Sequence, residues 1–201
     1  MDGIAWAGSA MTAARTRLEI ATQNLANVST DGYARVGARG ALTPFGVVVR
    51  RFAMAGHGAL RRTGRDLDLA IVGAGAFVVR GSDGSATHTR AGAFVRDRDG
   101  ALRDALGRPL LAGGRIVRVP EMGRIDERGA VVGPDGRTVD RIPLAPGSTI
   151  RAGFLENAGV DAIGEMIAVL AAERSFESAQ KVVSAIDRVR EKSAGDVARI
   201  K

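Results

Sequence analysis

From Ile4 onward an apolar or small residue recurs at Ala7, Met11, Ala14, Leu18, Ala21, Leu25 and Val28, in alternating steps of three and four. That is the seam of a coiled-coil helix. Near the other end Val169, Ala172, Phe176, Ala179, Val183 and Ile186 repeat the alternation. The long stretch between them has no such period. A chain built this way has helices at both ends, each with one face in need of a partner. The two seams can cover each other, which brings the termini together. Ala7, Ala14 and Ala21 allow close approach but bury little area per helix, so a lone pair is marginal. A seam left partly uncovered makes the chain a member of an assembly.

The first helix is expected over residues 3 to about 28, ending near Asn27. Ser29-Thr30-Asp31-Gly32 follows as a turn, with Gly32 suited to a left-handed backbone. Residues 36–65 read as an extended, irregular connection punctuated by glycine, with one strand-like run at Val47–Val49. At Asp66 the period changes to two. Leu67, Leu69 and Ile71 alternate with Asp66, Asp68 and Ala70, the pattern of a half-buried strand with a solvated carboxylate face. Strand-like runs then flank Gly81-Ser82-Asp83-Gly84, Asp97-Arg98-Asp99-Gly100 and Glu127-Arg128-Gly129, and Pro134-Asp135-Gly136 turns the chain into Thr138–Leu144. These read as antiparallel hairpins. Asp161 is the expected N-cap of the last helix, with Glu165 in its first turns; it should run to about Lys192, where Gly195 weakens continuation. The expected fold class is α+β, with the terminal helices packed as a coiled-coil-like pair around an inserted antiparallel all-β domain. The divisions are a helix and turn over 1–35, a connection over 36–65, a β domain over 66–150 and the closing helix over 151–201.

Several chemistries find no support in the residues. There is no cysteine, hence no disulfide, thiolate nucleophile or thiolate metal ligand. The formal net charge is +7 and almost wholly arginine, which raises nucleic acid as a partner. Acids interleave with the arginines, as in Arg96-Asp97-Arg98-Asp99, and no aromatics stand among them to stack on bases. A basic nucleic-acid-binding module is therefore the competing class rather than the leading one. His57 and His88 lack ligand spacing, and Gly73-Ala74-Gly75 has no helix pattern after it, so no metal, cofactor or catalytic constellation is expected. No run reaches the roughly twenty apolar residues of a membrane span. Asp2, Arg15, Arg17 and Glu19 do not compose a secretory signal.

The run Asn24-Leu25-Ala26-Asn27-Val28-Ser29-Thr30-Asp31-Gly32-Tyr33-Ala34-Arg35 resembles the signature that ends the first helix in the bacterial flagellar rod and hook family, Asn-Leu-Ala-Asn followed by Thr-x-Gly-Phe/Tyr. In the middle, Asp68–Phe77, Thr89-Arg90-Ala91-Gly92-Ala93-Phe94, Asp99-Gly100-x-Leu102 and Gly107-x-Pro109-Leu110-Leu111 resemble that family's β domain. The C-terminal blocks Gly153-Phe154-Leu155-Glu156-Asn157, Val160-Asp161, Glu165-Met166 and Arg174-Ser175-Phe176-Glu177 continue it, with Lys181 and Asp187 in register. Three blocks in the right order cover most of the chain. Arg-x-Phe-Glu, the short length, Met1-Asp2 and Asp140-Arg141-Ile142-Pro143-Leu144 lean toward the proximal-rod branch rather than the distal rod or hook. Ala158-Gly159 replaces the usual Ser-Asn, Ala76 replaces an aromatic, and the segment from Leu144 to Phe154 is short for the family.

The resemblance implies a structural subunit that self-assembles into a helical tube, has rod subunits and the flagellar export apparatus as partners, and resides in the periplasmic rod without a cleaved signal peptide. The assembly residues it implies are Ile4, Met11, Leu18 and Leu25 on the first helix, Asn24, Asn27, Gly32 and Tyr33 at its end, and Val169, Phe176, Val183 and Ile186 on the last. Asn24, Asn27 and Gly32 also have a local explanation, as a helix stop and turn.

Overall fold

Gly3–Ala26 form a first helix, α1, and Ala162–Ala198 a last one, α2. The structure, a computed structural model, describes residues 3–54 and 56–198, with side chains as far as Lys192. The chain divides into two units: Met1–Val28, Arg35–Ala55 and Val160–Lys201 make one, and Ser29–Ala34 with Gly56–Gly159 make the other.

In the first unit α1 packs on α2. They run antiparallel: a Cβ at Gly3, near the start of α1, would lie 3.3 Å from Ile186 Cδ1, late in α2. Burial on α2 follows the seam. Ala172 and Ala179 are buried, Val169, Phe176, Val183 and Ile186 half-buried, and the other described positions from Leu170 onward exposed. On α1, Ala7, Ala14 and Ala21 are buried while Ile4, Met11, Leu18 and Leu25 are half-buried. On both seams the alanines are thus the most covered positions and the larger residues are less covered. α2 is longer than the sequence signals, passing through Gly195 to Ala198.

The connection expected over 36–65 is instead largely a hairpin. β1 (Val36–Thr43) pairs antiparallel with β2 (Gly46–Ala53) along their full lengths. The hairpin covers a second stripe of α1. Val47 N–H donates to Ser9 Oγ at 3.1 Å, Arg51 donates to Gln23 Oε1, and Asn24 bonds Val36 twice. Ala13 and Ile20 lie buried on this same side of α1. Some of the glycines that read as irregularity serve close packing, Gly37 and Gly46 among them. The Phe52 ring sits over Gly37, where a Cβ would come within 2.5 Å of it.

The second unit holds β3 (Leu60–Arg62), β4 (Leu69–Val72), β5 (Phe77–Arg80), β6 (Ala86–Thr89), β7 (Val95–Arg96), β8 (Leu102–Arg103), β9 (Leu110–Ala112), β10 (Arg115–Ile116), β11 (Arg124–Ile125), β12 (Ala130–Val132), β13 (Thr138–Arg141), β14 (Thr149–Ala152) and β15 (Phe154–Glu156). The sheets are β10-β9-β5-β6, β11-β12-β13, and the pairs β4·β14, β3·β15 and β7·β8. One core includes Leu69, Phe77, Phe94, Leu102, Leu110 and Val131, with Phe77 and Phe94 edge-to-face at 5.2 Å.

A repeated five-residue turn shapes this unit. Asp97, Asp104 and Asp126 each accept, through Oδ1, backbone N–H bonds from the residues four ahead (Ala101, Arg108, Ala130) and two ahead (Asp99, Leu106, Arg128). Three residues on, Gly100, Gly107 and Gly129 take φ of 75–78° and bond back to the Asp carbonyl. The side chain closes the loop and the glycine supplies its left-handed corner.

The half-buried strand expected at Asp66–Ile71 is corrected in two respects: it begins only at Leu69, with Asp66 and Leu67 in a turn, and the face expected to be solvated is covered from Asp68 on, Ala70 included. Asp68 is buried rather than on a solvated face, and it is held by Arg65. Asp66 is exposed, so the two carboxylates form no pair.

Candidate assembly interface

The Asn-Leu-Ala-Asn signature is tied down by distant partners. Asn24, fully buried, donates Nδ2–H to Val36 O at 2.8 Å and accepts Val36 N–H on Oδ1 at 2.9 Å. Its amide acts as one rung of a β ladder, pinning β1 to the end of α1. Asn27 is local, donating to Gln23 O at 2.9 Å. In the other unit Asp31 accepts two bonds from Arg61 Nη2, at 3.1 and 3.2 Å. Gly32 has φ 68° and donates to Glu156 O at 2.6 Å; a Cβ there would lie 2.2 Å from Ala91 N. Tyr33 is half-buried and its carbonyl accepts Gly159 N–H at 3.2 Å. Asn27 thus bonds back into its own helix, whereas Asn24 and Gly32 have long-range roles. Of the expected assembly residues, the eight seam positions and the two asparagines share one unit, while Gly32 and Tyr33 belong to the other.

Two ion pairs with buried carboxylates had no signal in residue spacing. In the helical unit Arg35 Nε lies 2.5 Å from Glu165 Oε1, joining the start of β1 to the first turns of α2. Asp161 caps that helix by accepting Ile163 N–H at 3.1 Å. In the β unit Arg90 Nε lies 2.6 Å from Glu156 Oε2, and its other nitrogens reach the carbonyls of Ile71, Gly73 and Gly75.

Asp68 makes the β unit sensitive to acid. Burial pushes its carboxyl up, but hydrogen bonds from Arg65 and Thr63 and the charges of Arg65 and Arg61 outweigh this and hold it below the ordinary value of 3.8. A depressed folded value means the stabilisation is complete above the unfolded value and is lost as pH falls through the folded one. Asp68→Asn is expected to be less stable than wild type at pH 7 by about 1–3 kcal/mol. That gap should close as the pH drops below about 3.9. Urea midpoints at pH 7 and pH 2.5 measure it, and an undiminished gap in acid would contradict the assignment.

The helical unit also exposes apolar residues away from the seam. Ile163 (70%), Met166, Ile167 (62%) and Leu170 line the side of α2 opposite its contact with α1. The hairpin tip bears Leu42 and Phe45, the latter 87% exposed. Charge is less evenly spread than Arg96–Asp99 indicates. Tyr33–Arg65 contains seven arginines and no acid. Among the described residues there is no group of three or more His, Cys, Asp or Glu able to hold a metal, and no helix is long and apolar enough to cross a membrane.

The same three blocks match models of known families. "Flagella basal body rod protein" matches residues 4–33, "Flagellar hook protein FlgE/F/G D1 domain" residues 70–142, and "Flagellar basal body rod FlgEFG protein C-terminal" residues 151–195. The chain belongs to the flagellar basal-body rod/hook family. Family members are structural proteins of the flagellum. The chain is similar to the basal-body rod protein FlgG of Agrobacterium fabrum, 26% identical over 253 residues that include 94% of this chain and 97% of that one. It is 27% identical to the rod protein FlgF of Caulobacter vibrioides, covering 100% of this chain and 98% of that one. Against the hook protein FlgE of Rhizobium meliloti it is 35% identical over 72% of this chain but only 36% of the relative. The chain thus spans nearly all of these rod relatives and about a third of the hook relatives. The FlgG alignment is longer than this 201-residue chain, so that relative carries insertions this rod/hook family member lacks.

Proposed function

We propose that this chain is a subunit of the basal-body rod, of the proximal type, and that it assembles head to tail through its terminal helices into a helical tube that transmits torque. The observation that carries the reading is the uneven cover of α2. One side packs on α1 with its larger residues only half-buried, while Ile163, Met166, Ile167 and Leu170 on the opposite side face solvent. Burying each large aliphatic side chain against a neighbour stabilises an assembly by about 1.5–3 kcal/mol. A heterologous contact whose rotation does not close builds a helical array. Coverage of the rod relatives from end to end supports rod over hook, and Arg174-Ser175-Phe176-Glu177 supports the proximal branch. The subunit would leave the cell through the flagellar export apparatus, without a cleaved signal peptide, and work in the periplasm among other rod subunits.

Seam variants Leu18→Asp or Val183→Asp should abolish assembly while leaving the β unit folded, though they also strike the α1–α2 contact. Ile167→Asp separates the two effects. Its side chain is exposed in the lone subunit, so the variant should fold like wild type yet leave a deletion strain without assembled flagella. Full motility in a strain carrying Ile167→Asp as its only copy would overturn the reading.

A further inference from the structure

The seven arginines of Tyr33–Arg65 equal the whole formal net charge of +7, so the remainder of the chain is balanced. Arg35, Arg61 and Arg65 are ion-paired with Glu165, Asp31 and Asp68. Arg39, Arg50 and Arg51 lie on the β1–β2 hairpin, which contains no acid. The register sets Arg39 directly opposite Arg50 and Ala41 opposite Val48, so these four share a face with Phe52. Arg51 and Val47 lie on the other face, where they bond to α1. The Arg39–Arg50 face therefore points away from α1, and its five side chains are exposed. The Arg39 guanidinium stands 5.5 Å from the Phe52 ring centre. Like charges directly opposite across a strand pair repel. Neither arginine has an ion pair among the described residues. In the lone subunit this face is a small apolar and cationic platform with its charge unanswered.

We propose that this face docks on an acidic protein surface belonging to a different chain. Arginine beside aromatic and aliphatic side chains is the composition of protein interface centres. Phe52 is backed by Gly37 and flanked by Arg39, which leaves no row of rings for stacking bases. Two outward arginines also fall short of the roughly four to eight basic residues that hold a protein on anionic lipid. A second copy answers the charge poorly. Outside Tyr33–Arg65 its acids and bases cancel, and Asp97, Asp104, Asp140 and Glu156 are already in ion pairs. The proposal does not depend on which axial position the subunit fills.

The test places a photo-crosslinking amino acid at Val48 in the full chain, expressed in cells that assemble the structure, and sequences the linked peptide. The same is done with Arg39→Gln/Arg50→Gln and with the charge-matched control Arg124→Gln/Arg128→Gln. The expected result is a peptide from another, net-acidic chain. Its yield should fall about tenfold or more in the Arg39/Arg50 variant and stay unchanged in the control. Because a repulsive pair is relieved, the Arg39/Arg50 variant should have an unfolding midpoint no lower than wild type. A link to a second copy, to lipid or to nucleic acid, no link at all, or equal loss in the control would each overturn the proposal.

Discussion

Gly92→Ala is expected to unfold the β unit. A Cβ at this position would lie 1.6 Å from Leu69 O, 2.7 Å from Leu69 C and 3.3 Å from Phe77 Cε2. The first two atoms are backbone and cannot rotate away. Leu69 N–H donates to Gly92 O at 2.9 Å, and Phe94 N–H reaches Leu67 O at 3.3 Å, so the two segments are laced together where the methyl must enter. Separating them by more than an ångström breaks that lacing and withdraws Leu69 and Phe94 from the core they share with Phe77. A substitution combining steric insertion with lost core packing falls in the exceptional class of about 4–5 kcal/mol or more. That is comparable to the whole stability of a modest domain, about 5–15 kcal/mol. Gly84→Ala is the control: its φ is 83° but nothing stands within 4 Å, so the change should cost only about 1 kcal/mol. Urea unfolding of both, followed by near-ultraviolet circular dichroism, decides the matter. A Gly92→Ala midpoint matching wild type would show that β4 can shift freely.

The features legible in the sequence are those whose causes are local. The tight hairpins could be placed because Asp97, Asp126 and their glycines close turns within five residues. The seams could be placed because a helix repeats its face every three or four residues, and burial on α2 follows them. The pairings β4·β14 and β3·β15 join segments roughly eighty and ninety-five residues apart, and no period in either strand names its partner. The β1–β2 hairpin stayed hidden because its glycines resemble breaks, although Gly37 makes room for Phe52. The second stripe of α1 was obscured by Ser9 and Asn24, polar residues whose side chains bond backbone groups of the hairpin. Buried Glu156 and Glu165 look like surface charges until their arginines arrive from far along the chain. For the same reason the candidate assembly surface was half visible. The seam was in view, but the exposed side of α2 does not stand out in a helix apolar on two sides.

Arg90→Ala should be nearly as damaging as Gly92→Ala, by electrostatics instead of sterics. The Arg90 side chain is 13% exposed and Glu156 only 4%. Its guanidinium holds the Glu156 carboxylate at 2.6 Å and donates to Ile71 O and Gly75 O at 2.6 Å and to Gly73 O at 3.2 Å. Removing it leaves a buried carboxylate with Gly58 N–H at 3.0 Å and His57 at 3.7 Å as its remaining polar partners among the described residues. Three carbonyls lose a donor in the same step. Breaking one side of a buried pair typically costs about 3–5 kcal/mol. Arg90→Lys should recover only part, since an ammonium can meet Glu156 but cannot spread planar donors across the carbonyls. Glu156→Gln should be milder than Arg90→Ala, because it keeps an acceptor and leaves the carbonyls served. Urea midpoints of the single variants and of Arg90→Ala/Glu156→Gln then form a cycle. If the pair couples as its geometry requires, the double variant loses less than the two singles together. Strict additivity would mean that Arg90 acts through the carbonyls of the 71–75 turn alone.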